Sequence, residues 1–371
     1  MSELQPPSTD QAVGAEMLRG FWYPATLGER VPKGGLTAVH LLGEPLAIGR
    51  DPAGRAFALR DVCPHRGMPL SAGRFENGNV ECSYHGWQFE PHTGECRVVP
   101  SITEDSKLKV ERIYCGSFPC AEENGYVWVY MPDEALRGPV ARASAATDPP
   151  PAPQLEIFSE RYKITRLEAL LPSNVDHGII GLMDPAHGPF VHQSWWWRSR
   201  RSIQTKEKKF EPIPYGFRMS THKPSANSGA YKLLSIYKEP ITTTIDFMLP
   251  NHRTEVIRCG KYWFSSRTTV TPVTADQCRI DFCAAWNIFP WIPFVLPIFR
   301  SFAKRFIGQD QHTMEKQVVG LRSHPTLMLV DDADRPARWY FQLKQAYLES
   351  RRSGQPFVHP IAGPVTLRWR S

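Results

Sequence analysis

The segment Cys63-Pro64-His65-Arg66-Gly67, with its counterpart Cys82-Ser83-Tyr84-His85-Gly86-Trp87, decides how this chain is read. Each segment offers one thiol and one imidazole, as Cys-x-His and Cys-x2-His, with sixteen residues between His65 and Cys82. Thiolates are soft donors suited to iron–sulfur ligation, and neutral imidazoles can replace them on one iron of a two-iron cluster. Cys63 and Cys82 would hold one iron of a [2Fe–2S] cluster, and His65 and His85 the other. Exchanging two anionic ligands for neutral ones raises the reduction potential above that of an all-cysteine cluster. Zinc is the alternative for any set of two Cys and two His, but structural zinc sites usually pair like with like. Here each short pair is mixed. Gly67, Gly73 and Gly86 leave the backbone room to close on a cluster, and Tyr84, Trp87 and Phe89 read as a dry packing shell.

Outward from these loops, residues 22–131 are short alternating runs broken by glycine and proline, as in 56–60, 80–82 and 126–130. That pattern predicts a small all-β domain over residues 20–133. Residues 134–153 are rich in Ala and Pro and read as a semi-rigid linker. In residues 154–371, strand patterns are expected at 156–167, 230–249, 262–273, 278–285 and 327–330. Helices are expected at 170–182, signalled by Pro172 and Ser173, at 309–320, and within 331–348 from near Pro336. The class is α+β, with a largely antiparallel sheet and helices carrying the polar residues.

A second constellation lies in that region, Asp184-Pro-Ala-His187-Gly-Pro-Phe-Val-His192. If the chain loosens at Gly188-Pro189, both imidazoles can converge on one ion. Apolar Ile179, Ile180, Leu182 and Met183 precede them, so the polar set looks carried into an interior pocket. Two neutral nitrogens and a carboxylate make the facial triad of a non-heme Fe(II) oxygenase, with positions left open for oxygen. By itself the spacing is only moderately specific, because surface or core histidines also produce it.

Together these motifs resemble the Rieske non-heme iron oxygenases, over about residues 22–320. The resemblance rests on Cys-Pro-His-Arg-Gly, Cys-x-Tyr-His-Gly-Trp-x-Phe, Asp184-x2-His187-x4-His192 and the late Asp310-x4-Glu315-x-Gln317. Neither ligand loop has the added cysteine of respiratory Rieske proteins, which favours the oxygenase branch. The resemblance implies a Rieske domain followed by a helix-grip (START-like) catalytic domain over residues 154–371. It implies mononuclear iron held by His187, His192 and Asp310, with Glu315 as the alternative carboxylate and His312 either near the site or facing solvent. It also implies that Asp184 bridges two subunits, between the partner's His85 and His187. A carboxylate between two metal-bound imidazoles would fix their orientation and raise their basicity. Two departures stand out: Ser83 replaces a common proline, and Gly181 replaces the asparagine of an Asn-x2-Asp pattern. Asn174, Asp176 and His177 lie about two turns upstream, as capping and packing groups or as hydrogen-bonding support for the site. The Leu-Met-Asp-Pro-Ala-His stretch also looks like members acting on large substrates, such as chlorophyll-breakdown oxygenases, while Gly181 and Trp195-Trp-Trp197 leave the substrate open.

The function so implied is the terminal oxygenase of a multicomponent monooxygenase, working as a homotrimer without a second kind of subunit. It would use O2 and NAD(P)H-derived electrons to hydroxylate, or oxidatively N- or O-dealkylate, a hydrophobic or aromatic small molecule. Electrons would arrive through a ferredoxin or flavin reductase, since no glycine-spaced dinucleotide motif is present in the chain. Alternatives within the class are cis-dihydroxylation and desaturation. The alternative from another class, an electron-transfer Rieske ferredoxin, leaves Asp184, His187, His192 and Asp310 without a task.

Composition agrees with a globular enzyme, at 42% hydrophobic and 22% charged residues. Eight cysteines in 371 residues do not make a disulfide scaffold; the six beyond the ligand pair are expected to be buried thiols in a reducing compartment, the cytoplasm. Residues 1–20 lack a signal-peptide pattern. The most apolar stretch, 288–299, contains Pro290, Pro293 and Pro297 and is too broken to span a bilayer; it reads as a buried loop, a subunit contact or a hydrophobic mouth. Net charge is +7, with basic residues bunched at Arg198, Arg200, Arg201, Lys206, Lys208 and Lys209. No zinc-finger or phosphate-loop spacing accompanies them, so nucleic acid is excluded and either a donor-docking face or a solvated strand is expected.

Overall fold

Alternating burial broken by turn residues is what short antiparallel strands require. The computed structural model describes residues 16–133, 149–193, 200–224, 234–289, 294–323 and 325–371. Most of the Ala/Pro-rich stretch, Trp195-Trp-Trp197, Arg198, Pro290 and Pro293 lie outside the described residues.

The chain divides into two compact units. The first, Leu18–Gln154, contains β1 (Phe21–Leu27), β2 (Leu36–Leu41), β3 (Glu44–Arg50), β4 (Ala56–Arg60), β5 (Arg74–Glu76), β6 (Asn79–Glu81), β7 (Gln88–Phe89), β8 (Cys96–Val98), β9 (Ser117–Phe118), β10 (Cys120–Glu123) and β11 (Tyr126–Met131). They form three antiparallel sheets, ordered β1-β11-β10, β2-β3-β4-β9 and β5-β6-β7-β8. The β4–β5 and β6–β7 connections carry the two Cys/His segments. Phe57, Leu59, Leu70, Val80 and Phe89 are buried in one cluster with Cys63 and Cys82, so both sulfurs enter an apolar core.

The second unit comprises residues 155–371, joined by Glu16, which pairs with Arg352. Its first elements are β12 (Lys163–Leu171), α1 (Val175–Met183) and the single turn α2 (Gly188–Val191). Then come β13 (Thr205–Ile213), β14 (Gly216–His222), β15 (Ile241–Met248), β16 (His252–Cys259), β17 (Tyr262–Thr274) and β18 (Gln277–Trp286). The long helix α3 (Val295–Leu321), α4 (Arg335–Ser353) and β19 (Val365–Arg370) complete it. The eight strands form one antiparallel sheet, β12-β18-β17-β16-β15-β14-β13-β19.

Register explains why the helices lie on one face. Phe217 pairs with Phe247 and Phe264 with Trp286. The side-chain period of two keeps each pair on the same side of the sheet. Trp339 of α4 packs 5.2 Å from Phe217, and Tyr340 packs 5.8 Å from Phe247. Phe299 of α3 sits 4.4 Å from Trp286. Burying each such side chain contributes about 1.5–3 kcal/mol. Between them α1 lies close on the sheet, because Gly178 presents no side chain to Val270 and Cys278.

Several boundaries differ from the sequence reading. Residues 170 and 171 continue β12, paired with Arg279 and Cys278. Pro172 has no N–H with which to extend that ladder. The helix then starts at Asn174, whose side chain accepts from His177 N at 3.0 Å. The helix expected from residue 309 begins at Val295, because Pro297 falls in its first turn, where proline is tolerated. The strand expected at 327–330 is absent. Side chains there take backbone groups a neighbouring strand would need: Val330 N donates to Asp334 and Leu329 O accepts from Arg338. The basic run is not one surface either. Lys206 is buried on β13 and donates to Ser371 Oγ, while Arg200 and Arg201 are exposed. No described helix is long and apolar enough to cross a membrane.

Candidate metal centres

The two Cys/His loops share one backbone device. Cys63 N donates to Met68 O and Gly67 N to Cys63 O, at 2.8 and 2.9 Å. Cys82 N donates to Trp87 O and Gly86 N to Cys82 O, at 2.8 and 3.0 Å. Each turn needs a left-handed residue at its fourth step, supplied by Gly67 (φ 73°) and Gly86 (φ 68°). The sulfurs are thereby turned inward and buried, while His65 is exposed and His85 half-buried. The two imidazoles stand 4.4 Å apart, and His65 is stacked on Trp87 at 4.8 Å.

Burial, with Cys82 beside it, pushes the Cys63 thiol up to about 11. A thiol raised in this way gives up its proton most readily to a strong cationic partner, which iron would provide. The four donors are not gathered around one point. Among the described residues, the set of donors within 4.8 Å of one another is His187, His192 and Asp310. A single zinc ion would gather Cys63, His65, Cys82 and His85 that tightly, whereas a two-iron cluster spreads its ligands over a larger volume. The donor set fits [2Fe–2S]. The remaining cysteines form no disulfide and are buried in five cases and half-buried at Cys120.

The second centre is built by tertiary structure. After α1 ends at Asp184, the turn from His187 to His192 is closed by His187 O, which accepts from Val191 N, and by Gly188 O, which accepts from His192 N. Both rings then point to one place, with Nε2 atoms 3.2 Å apart. Asp310 arrives on α3, on the same stripe as buried Ala303, Ile307 and Met314, spaced by the three- and four-residue steps of one helix face. Its Oδ1 lies 3.1 Å from His192 Nε2 and 3.9 Å from His187 Nε2. Three donors about 2.1 Å from one ion in octahedral geometry would be about 3.0 Å apart. Two edges match, and the third closes with a small turn of the carboxylate. The residues fit a facial triad.

Supporting groups surround it. Asp184 accepts from Ala186 N at 2.6 Å through Oδ1 and brings Oδ2 to 3.5 Å from His187 Nδ1. Burial pulls the His187 pKa down, but Asp184 and then Asp310 more than offset this, so the metal-free ring sits above its ordinary value. Phe306 stacks on His192 at 3.6 Å, and Gln309 Oε1 lies 3.2 Å from His192 Nδ1. Neither was anticipated, although Phe306, Gln309 and Asp310 carry the i, i+3, i+4 signature of one helix face. His312 and Glu315 instead form an exposed pair, 3.6 Å apart and away from the triad. Of the polar group upstream, Asn174 caps α1. Asp176 is fully buried against Lys344 Nζ (2.8 Å) and Tyr340 Oη (2.5 Å), an interior ion pair tying α1 to α4. Gly181 is exposed.

Comparison with known proteins gives the context. The family model for the Rieske [2Fe-2S] domain matches residues 21–115. Chlorophyllide a oxygenase of Chlamydomonas reinhardtii is 30% identical over 309 residues, 80% of this chain and 43% of that protein. Pheophorbide a oxygenase of Oryza sativa subsp. japonica is 30% identical over 297 residues, 76% of this chain and 52% of that protein. The chain thus spans about half the length of these curated relatives, or less. Among solved structures, dicamba monooxygenase bound to dicamba superposes with a TM-score of 0.69 at 22% identity, covering 91% of this chain and all of that one. NdmA of Pseudomonas putida CBB5 with caffeine gives 0.69 at 19%, covering 96% and 98%. At such identities the likeness speaks for the fold. The chain thus carries a Rieske domain followed by an antiparallel sheet with few helices, and along most of its length it is similar to oxygenases of the Rieske non-heme iron family.

Proposed function

We propose that this chain is the terminal oxygenase of a multicomponent monooxygenase that hydroxylates, or oxidatively N- or O-dealkylates, a hydrophobic or aromatic small molecule. The convergence of His187 Nε2, His192 Nε2 and Asp310 Oδ1 carries this reading, since an electron carrier has no use for it. Iron bound there would supply oxygen activation, driven by electrons stored in a cluster on Cys63, His65, Cys82 and His85. The chain's own residues orient and seclude. Phe306 shields one face of His192, and the turn around Gly188-Pro189 sets the spacing of the two rings. Aromatic side chains on the covered sheet face, such as Phe264, Phe282 and Trp286, suit an apolar substrate. Relatives named for chlorophyllide a, pheophorbide a and 4beta-methylsterol support that class.

Asp184 has a second task in this proposal. Its carboxylate is partly exposed beside His187, so it can hold that ring and reach the partner's His85 in a homotrimer. A ferredoxin or flavin reductase would deliver NAD(P)H-derived electrons, in the cytoplasm. Single turnover under 18O2 with a panel of apolar substrates tests the reaction class. One labelled oxygen or a dealkylated product is expected; two labelled oxygens would make the enzyme a dihydroxylating dioxygenase, like the relatives named for phthalate and 3-chlorobenzoate. His187→Ala should abolish product while the cluster's visible spectrum persists. Asp184→Asn should keep both centres but slow single-turnover transfer by at least tenfold; an unchanged rate would remove its bridging role.

A further inference from the structure

The two histidines of the triad are supported in different ways. His187 Nδ1 is buried, yet its nearest carboxylate oxygen, on Asp184, stands 3.5 Å away, beyond a good hydrogen bond. His192 is almost fully buried and is held from two directions by α3. Phe306, stacked at 3.6 Å and 16° from parallel, fixes the plane of its ring. Stacking leaves the ring free to pivot within that plane and to flip end for end. Gln309 Oε1, 3.2 Å from Nδ1, removes both freedoms, because an amide oxygen accepts only from a protonated Nδ1. With the proton there, Nε2 keeps its lone pair and faces Asp310 Oδ1 at 3.1 Å.

We infer that Gln309 is a positioning residue for the mononuclear metal, locking the tautomer and in-plane angle of His192 so that Nε2 is a ready ligand. The inference rests on the reading of His187, His192 and Asp310 as a metal site. Gln309 and Asp310 are neighbours on one rigid helix. One element therefore sets both the acceptor behind the imidazole and the carboxylate in front of it. The amide holds the ring without adding negative charge, whereas Asp184 puts a carboxylate behind His187. The site thus has one clamped ligand and one ligand whose support is free to adjust.

The test is metal binding by the full-length chain, with the cluster as internal control. Gln309→Leu removes the acceptor at similar size. With the Rieske spectrum unchanged, its affinity for Fe(II) on anaerobic titration should fall by about 10- to 100-fold, the usual cost of losing such a partner. Gln309→Glu restores an acceptor oxygen and should recover most of that affinity. Wild-type affinity in Gln309→Leu would overturn the inference, and so would a Gln309→Glu variant as weak as Gln309→Leu, since packing alone would then explain the loss. Wild-type protein that binds no third iron would sink the metal-site reading itself; a third iron kept by both wild type and Gln309→Leu would sink this inference alone.

Discussion

The first centre is assembled by two loops and the second by a whole fold. Cys63, His65, Cys82 and His85 lie within a few turns of chain, each loop closed by its own backbone hydrogen bonds and a left-handed glycine. His187 and His192 meet Asp310 only after six strands have been placed between them and the long helix that carries it. Local construction tolerates damage elsewhere; distributed construction does not. The second site should therefore respond to changes far from its ligands, and the first should not notice them.

The largest such effect is expected at the buried pair tying α1 to α4. Lys344→Met leaves the fully buried Asp176 carboxylate without its cation, and stranding a charge in this way costs about 3–5 kcal/mol. The second unit's unfolding midpoint in urea should drop accordingly and the mononuclear site should load poorly. The Rieske spectrum should be that of wild type; a variant that lost its cluster instead would break the contrast between the two centres.

A smaller pair of effects sharpens the comparison within α1. A Cβ on Gly178 would lie 2.6 Å from Val270 Cγ1 and 3.0 Å from Cys278 Sγ. Gly178→Ala should destabilise by about 1–3 kcal/mol through overpacking. At Gly181 the nearest atom to such a Cβ is Met314 Sδ at 4.0 Å, so Gly181→Ala should stabilise by about 0.5–1 kcal/mol as a better helix former. Thermal midpoints that moved in the same direction for both would show that α1 does not lean on the sheet through Gly178.

Legibility followed the same division. Mixed Cys/His pairs at short spacing carry their chemistry in local sequence, so the candidate cluster ligands stand out without any tertiary structure. Asp310 could not: nothing near it announces a metal, and only the family resemblance selected it over Glu315. Phe306 escaped because prolines before residue 300 read as breaks, which hid the first half of α3, and Gln309, at the start of the expected helix, escaped because its partner His192 lies far away in sequence. Pro297 sits in its first turn, where a missing N–H costs little. Lys344 escaped for another reason. A lysine on an amphipathic helix ordinarily reaches solvent, and its burial depends on Asp176 arriving from another helix. The α+β class and the antiparallel sheet were legible because alternating burial is local. The false strand at 327–330 had the right alternation, but its backbone groups were already taken by Asp334 and Arg338.

The most direct measurement is the iron and acid-labile sulfide content of anaerobically purified protein beside His187→Ala. Three irons and two sulfides per wild-type chain are expected, falling to two and two in the variant with an unchanged Rieske spectrum. A wild-type chain with two irons and two sulfides, loaded in the presence of excess Fe(II), would contradict the second centre and leave an electron carrier in its place.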